Sequence, residues 1–347
     1  MVALLRRCIK TLAYGAGAWL APVLMRALPG PRLLILTYHR VLPADHPARA
    51  YEEQGMVVSP EQLEMQLRLL GRYVTYMHLD DWLALRDSGA ALPRLACAVT
   101  FDDGWADNHE HAYPLLLRLK VPACIYLATA RIGTRRGFWP TRLSRQLFGA
   151  WKAGDQAFFD SMALHLPAAV WSGSVAPQRQ RLAAHALIDG LKLHYVDEQI
   201  DAALDAVLKG ESDPADSDVL DWQQVRVMAA SGLVKFGSHT RDHRRLVADL
   251  SDADMDHEVA GSLQDLRDHL PDWRGGFCYP NGDSSASSLL LVGKYYSHSV
   301  LTEFGINSQH VDRQRLRRVG FHDRSGADRT AVLGRIAAAY VSPRRSA

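Results

Sequence analysis

Cysteine is scarce in this chain. Cys8, Cys97, Cys124 and Cys278 are the only four among 347 residues, and no two stand in a C-x-x-C pair, so neither a structural zinc site nor a redox dithiol is indicated. Cys97, Cys124 and Cys278 fall in apolar, strand-like runs and read as reduced core thiols. Charge of one sign is lacking too: the formal net charge is +2 and the pI is near 8.3. With no zinc-finger spacing, RNP motif or long basic block, nucleic acid is not expected as a partner. No stretch reaches the ~20 apolar residues needed to span a bilayer. Internal repeats and low-complexity tracts are absent. An apolar share of 48% against 22% charged removes the disordered, coiled-coil and collagen-like classes. What remains is a globular composition with enough chain for one large α/β domain or two ordinary ones.

Residues 1–30 differ in character from the rest. MVALLRRCIK followed by TLAYGAGAWLAPVLMRALPG has the basic start and apolar continuation of a signal peptide or anchor. Arg26 interrupts the apolar run, however, and no clean small-x-small cleavage site precedes the first strand. Arg6, Arg7, Lys10 and Arg26 beside Leu and Trp suit a helix lying on a membrane surface. The expectation is therefore a membrane-surface or core-packed helix, ahead of secretion.

Past Pro29-Gly30-Pro31, the run LLILTYH reads as a buried strand with its functional end at His39. SPEQLEMQLRLL, from Ser59 to about Leu70, opens with Ser then Pro and keeps apolar spacings of three and four, which predicts a helix. A short strand near VTYMHL and a helix from Asp80 to about Ser88 lead to the strand LACAVTF, which runs straight into Asp102 and Asp103. Acids at the C-terminal end of a strand stand where α/β barrels place chemistry. The helix around YPLLLRLK and the strand ACIYLAT continue a β-then-α alternation, which predicts parallel strands joined by right-handed crossovers. From about Gly133 to Pro214 (the segment 133–214) the pattern is helical without a convincing strand, and it reads as an insertion. The alternation resumes with DWQQVRVMAAS, the strand LVKFGSH, a helix from about Asp252 to His269, the strand GGFCYP and a last stretch through Arg318. Residues 31–347 thus read as one domain carrying that insertion.

Two segments carry chemistry. In TFDDG the chain turns at Gly104, so the adjacent carboxylates of Asp102 and Asp103 can reach one pocket from different angles, one to bind metal and one to act as a base. In GSHTRDH, His239 and His243 stand at i and i+4 directly after an apolar strand. One carboxylate and two imidazoles converging on an ion leave coordination positions open, as a catalytic rather than a structural site requires. Taken singly, each segment also reads as a solvated turn or a pair of surface histidines; both ending core strands is what favours the metal.

LTYHRV, AVTFDDG, FGSHTRDH and FCYPNG, in this order, resemble the polysaccharide deacetylase family, carbohydrate esterase family 4. The resemblance runs from Leu33 to Val319 apart from the insertion, and is greatest to the branch serving exopolysaccharide and poly-N-acetylglucosamine synthesis. It implies an α/β fold, a distorted (β/α)7 barrel, and metal-dependent hydrolysis of the N-acetyl group of an N-acetylhexosamine in a bacterial polysaccharide or lipid-linked saccharide. It implies one divalent metal, usually zinc, held by Asp103, His239 and His243, with Asp102 as general base. A bacterial protein of the cytoplasm or the inner membrane surface is the matching expectation for location. For the general acid, His39 matches the position used in the branch with circularly permuted motifs, and His322 in VGFHD resembles the C-terminal Leu-x-His motif; His39 is favoured.

FCYPNG departs from the chitin and peptidoglycan branch, where an Arg stands at Cys278 and a Tyr at Asn281. A backbone donor survives a side-chain change, so Asn281 remains the candidate for the oxyanion. For the missing arginine, which orients the base, Arg318 in RLRRV is the candidate substitute. Tyr38, Trp105, Trp139 and Tyr279 adjoin motif residues and are candidate sugar-stacking platforms. Competing readings keep the metal but change the amide, to a formamide or a cyclic amide, or drop catalysis altogether for a silent sugar-binding module.

Overall fold

The apolar runs that end in polar residues are the staves of a closed barrel. The computed structural model describes residues 15, 17–27, 30–134, 137–208, 218–248, 250–271 and 273–342; Cys8 and most of the segment ahead of residue 17 lie outside that set. By contacts the chain divides into two compact units, one of residues 1–43, 54–133 and 219–347, the other of residues 44–53 and 134–218.

In the first unit, β1 (Arg32–Tyr38) lies beside β5 (Leu95–Phe101), parallel and paired over seven residues from Arg32↔Leu95 to Tyr38↔Phe101. The short strands β2 (Arg40–Val41) and β3 (Val57–Val58) pair with each other, and β4 (Thr75–Tyr76) flanks β5. Around the barrel β5 is followed by β6 (Ala123–Leu127), β7 (Val234–Ser238), β8 (Phe277–Cys278), β9 (Ser299–Phe304) and β11 (Leu316–Gly320), which returns to β1; every one of these pairings is parallel. The barrel strands thus follow chain order. A two-residue strand, β10 (Asn307–Ser308), runs antiparallel against the foot of β1.

Side-chain alternation sorts these strands into an inside and an outside. Leu33, Ile35, Ala96, Ala98, Tyr126, Cys278, Val300 and Leu316 form one buried cluster, the barrel interior. Leu34, Leu36, Cys97, Val99, Ile125 and Phe236 belong to another, which faces the helices. Strands buried on both faces explain why β1 and β5 read as unbroken apolar runs rather than alternating ones.

The outer layer comprises α1 (Pro60–Leu70), α2 (Leu79–Asp87), α3 (Tyr113–Leu119), α4 (Trp222–Ala230), α5 (Asp252–His269), α6 (Ala286–Tyr295) and α7 (Arg329–Val341). Ser59, Asp221 and Ser251 cap three of them by accepting backbone N–H groups of the first turn. The expected helix over Asp252 to His269 is present, and the helix expected behind Ser59 begins at Pro60 with Ser59 as its cap.

The second unit is helical, as its sequence pattern suggests: residues 139–153, 156–165, 177–194 and 197–207 are helices. It has its own core of Leu143, Leu147, Phe159, Met162, Leu191, Ile200 and Leu204. Arg142 ties two of the helices together through Asp201 and Asp205, at 2.7 and 2.6 Å. Residues 44–53, far upstream in sequence, join this unit. No helix among the described residues is long and apolar enough to cross a membrane.

Candidate functional site

Inward-facing positions of the strands converge at the C-terminal mouth of the barrel. Continuing the interior alternation past the apolar layer leads to Thr37 on β1, Thr100 and then Asp102 on and after β5, and Arg318 on β11. Arg318 Nη1 and Nη2 donate to the two carboxylate oxygens of Asp102 at 2.7 and 2.8 Å, a bidentate pair in which both residues are 2% exposed. The same guanidinium donates to Thr37 Oγ1 at 3.0 Å, the Leu301 carbonyl at 2.9 Å and Cys278 Sγ at 3.2 Å. Burial alone raises the Asp102 pKa, but the charge and hydrogen bonds of Arg318, with smaller help from His239 and His39, hold it below the ordinary carboxylate value. Burial likewise pushes the Cys278 thiol up, so it remains a neutral acceptor.

Asp103 would face away by simple alternation. A left-handed backbone at Asp103 (φ 77°) and at Gly104 (φ 84°) swings it back. Gly104 is required here twice over, since an added Cβ would also meet Leu127 Cδ2 at 2.8 Å and Ile132 Cδ1 at 2.9 Å. Asp103 Oδ1 then lies 3.3 Å from His239 Nε2 and 3.4 Å from His243 Nε2. His243, also left-handed (φ 66°), is brought round by the turn after β7. These three donors lie within 4.8 Å of one another. His239 Nδ1 sits 2.8 Å from the Cys278 carbonyl; read as a donor there, it leaves the Nε2 lone pair facing Asp103. The donor set of one carboxylate and two imidazoles, with one imidazole's tautomer set by a backbone acceptor, fits a divalent metal.

A further layer of residues, none of them expected from the sequence to act as a support, holds these groups. The Trp105 indole donates to Asp103 Oδ2 at 2.7 Å, leaving Oδ1 to the histidines. Arg40 stacks 4.2 Å from the Trp105 ring centroid and pairs with Asp107 at 2.9 Å. Burial nonetheless pushes the Asp107 carboxyl above its ordinary pKa. Asn108 Nδ2 donates to the His39 carbonyl at 2.8 Å. On α5, the buried Glu258 accepts the backbone N–H groups of Arg241 and Asp242 with one oxygen, at 3.0 and 2.9 Å, clamping the loop that carries both histidines. The one available signal was an acid set among the inward residues Met255, Val259 and Ser262 of that helix.

His39 Nε2 lies 3.7 Å from Asp102 Oδ2 with its side chain 26% exposed, so it sits beside the carboxylate and reaches solvent. His322, past the end of β11, is in a turn whose backbone N–H donates to Ser325 at 2.9 Å and whose carbonyl accepts from Gly326 at 3.0 Å. Asn281 is left-handed (φ 55°) and its carbonyl accepts from Thr302 at 3.2 Å. The four aromatics read as sugar platforms are not available for stacking. Tyr38, Trp105, Trp139 and Tyr279 are all at most 4% exposed, because each packs within a core or, for Trp105, beneath Arg40.

Comparison with known proteins bears on the fold and the family. A segment of 108 residues is 29% identical to the poly-beta-1,6-N-acetyl-D-glucosamine N-deacetylase of Staphylococcus aureus strain MSSA476, covering 29% of this chain and 37% of that protein. The match thus spans well under half the length of this curated relative. Among solved structures, IcaB from Ammonifex degensii superposes with a TM-score of 0.54 at 20% identity, over 88% of this chain and 98% of that one. The Streptococcus pyogenes deacetylase PplD, in complex with acetate, gives 0.54 at 15% identity, over 85% and 94%. These likenesses establish the fold. The sequence profile described as polysaccharide deacetylase matches residues 90–297, well over half of the chain and including Asp102, Asp103, His239 and His243. The chain belongs to the polysaccharide deacetylase family.

Proposed function

We propose that this protein hydrolyses the N-acetyl group of an N-acetylhexosamine in a polymeric or lipid-linked bacterial saccharide, giving acetate and a free amine. The observation that carries the reading is the juxtaposition of two differently equipped carboxylates: Asp102 gripped by Arg318, and Asp103 facing His239 and His243. Asp103, His239 and His243 are the residues to hold a divalent metal, and zinc suits one carboxylate and two imidazoles. Bound there, such an ion supplies Lewis acidity to the acetyl carbonyl and acidity to a water.

Asp102 is the base in this reading. Kept ionised by Arg318, it accepts a proton from the attacking water, and the bidentate grip fixes the direction of its free lone pairs. His39, partly exposed beside it, donates a proton to the departing nitrogen as the C–N bond breaks. The Asn281 backbone N–H is the proposed donor to the oxyanion, and Arg318 acts through Asp102 as a positioning residue. Incubating metal-loaded protein with a panel of N-acetylated saccharides, with His39→Ala and His322→Ala alongside, tests the assignment. Acetate release that falls at least ~100-fold in His39→Ala and little in His322→Ala is expected. Formate release from N-formyl sugars without acetate, or full activity in His39→Ala, contradicts it.

A further inference from the structure

The helical residues 17–27 present two unlike faces. Gly17, Ala21 and Met25, spaced by four, face the barrel unit: Ala21 and Met25 are buried, and a Cβ at Gly17 would lie 3.3 Å from Ala337 Cβ and Gly334 Cα on α7. Trp19, Leu20 and Val23 point away and are 86%, 55% and 57% exposed. Trp19 is the one aromatic among the exposed large apolar side chains of the described residues. The face is therefore apolar on a helix whose packing is already satisfied on its other side.

Charge indicates what covers it. Residues 1–31 contain the bases Arg6, Arg7, Lys10 and Arg26 and no acid; the first acidic residue of the chain is Asp45. Arg26 is exposed, its guanidinium 5.3 Å from the Tyr73 ring centroid. A second copy docked through the same segment would bring like charges together. An apolar stripe headed by tryptophan, in a segment whose charged residues are all cations, matches an anionic lipid surface, where aromatic rings settle at headgroup depth and bases meet lipid phosphates. We propose that this segment seats the protein on an anionic bilayer, with Trp19, Leu20 and Val23 entering the interface. The chain passes from it into β1 at Arg32, the strand end opposite Asp102, so the attachment joins the barrel away from the site.

Flotation of the full-length chain with vesicles of phosphatidylcholine, alone or with about one third phosphatidylglycerol, tests this. Expected are binding at least ~10-fold stronger to the anionic vesicles, weakening with salt, and loss of most of it in Trp19→Ser/Leu20→Ser/Val23→Ser. Thermal unfolding of that variant should match the parent, since all three side chains are exposed. Should it not fold, Trp19→Phe serves instead: brominated lipid should quench tryptophan fluorescence in the parent and quench it less in the variant. Equal flotation of parent and triple variant, no flotation with either vesicle, or a lipid-free dimer that the triple variant dissolves would each overturn the proposal.

Discussion

A carboxylate as buried as Asp102 keeps its charge only where a cation faces it, and the two bonds from Arg318 meet that need. Arg318→Met leaves the carboxylate buried and unpaired, so a loss of about 3–5 kcal/mol in denaturant unfolding is expected, together with loss of activity. Arg318→Lys cannot reproduce the fork and should recover little of either. Cys278 Sγ lies 3.2 Å from the same guanidinium, at the position where the better-known branch carries arginine. The double variant Arg318→Ser/Cys278→Arg should therefore recover part of the activity missing from Arg318→Ser; no recovery would argue that the two positions are not equivalent. At Asp103 the Trp105 indole bond is of the kind that tunes a metal ligand. Trp105→Phe should weaken metal binding about 10–100-fold in a chelator competition, leaving the fold intact.

At the scale of elements, the loop after β7 decides whether His239 and His243 meet. Two of its residues, Thr240 and His243, hold left-handed backbone, and Glu258 on α5 anchors the N–H groups of Arg241 and Asp242 between them. Glu258→Ala removes that anchor, with an expected cost of about 1–3 kcal/mol and weaker metal binding, while Glu258→Gln, retaining a carbonyl acceptor, should fall between. Equal metal affinity in all three proteins would contradict the clamp. Much at this scale was legible in the sequence: apolar runs ending in His39, Asp102 and His239 are strands whose ends form the mouth, because parallel strands buried on both faces leave an unmistakable pattern. Arg318 was readable only as a candidate, since an arginine in a strand becomes interior only once its register is known. Arg40 and Asp107 were not readable as supports, and Glu258 showed only as an acid among the inward positions of its helix. A buried ion pair or a side-chain clamp depends on partners distant in sequence, and composition and period do not name those partners. The aromatics beside the motifs misled for a related reason: adjacency to a ligand in sequence says nothing about which side of the strand faces solvent.

For the whole molecule, metal binding and folding are linked. The loops bearing Asp103, His239 and His243 come together only in the folded barrel, so a saturating divalent ion should stabilise the protein by about 2.7 kcal/mol at a hundredfold excess over Kd. His239→Ala should abolish that shift, and a shift surviving the substitution would place the ion elsewhere. The helical unit, with its own core, was visible as a change of rhythm, but the short upstream segment 44–53 that joins it carries no periodic signal. The most direct test of the central claim is acetate release from N-acetylglucosamine oligomers by protein stripped of metal, reloaded, and altered to Asp102→Asn. Acetate matched by free amine, lost on stripping, restored on reloading and reduced at least ~100-fold in the variant is the predicted result. Acetate release that persists without metal, or is undiminished in Asp102→Asn, would contradict it.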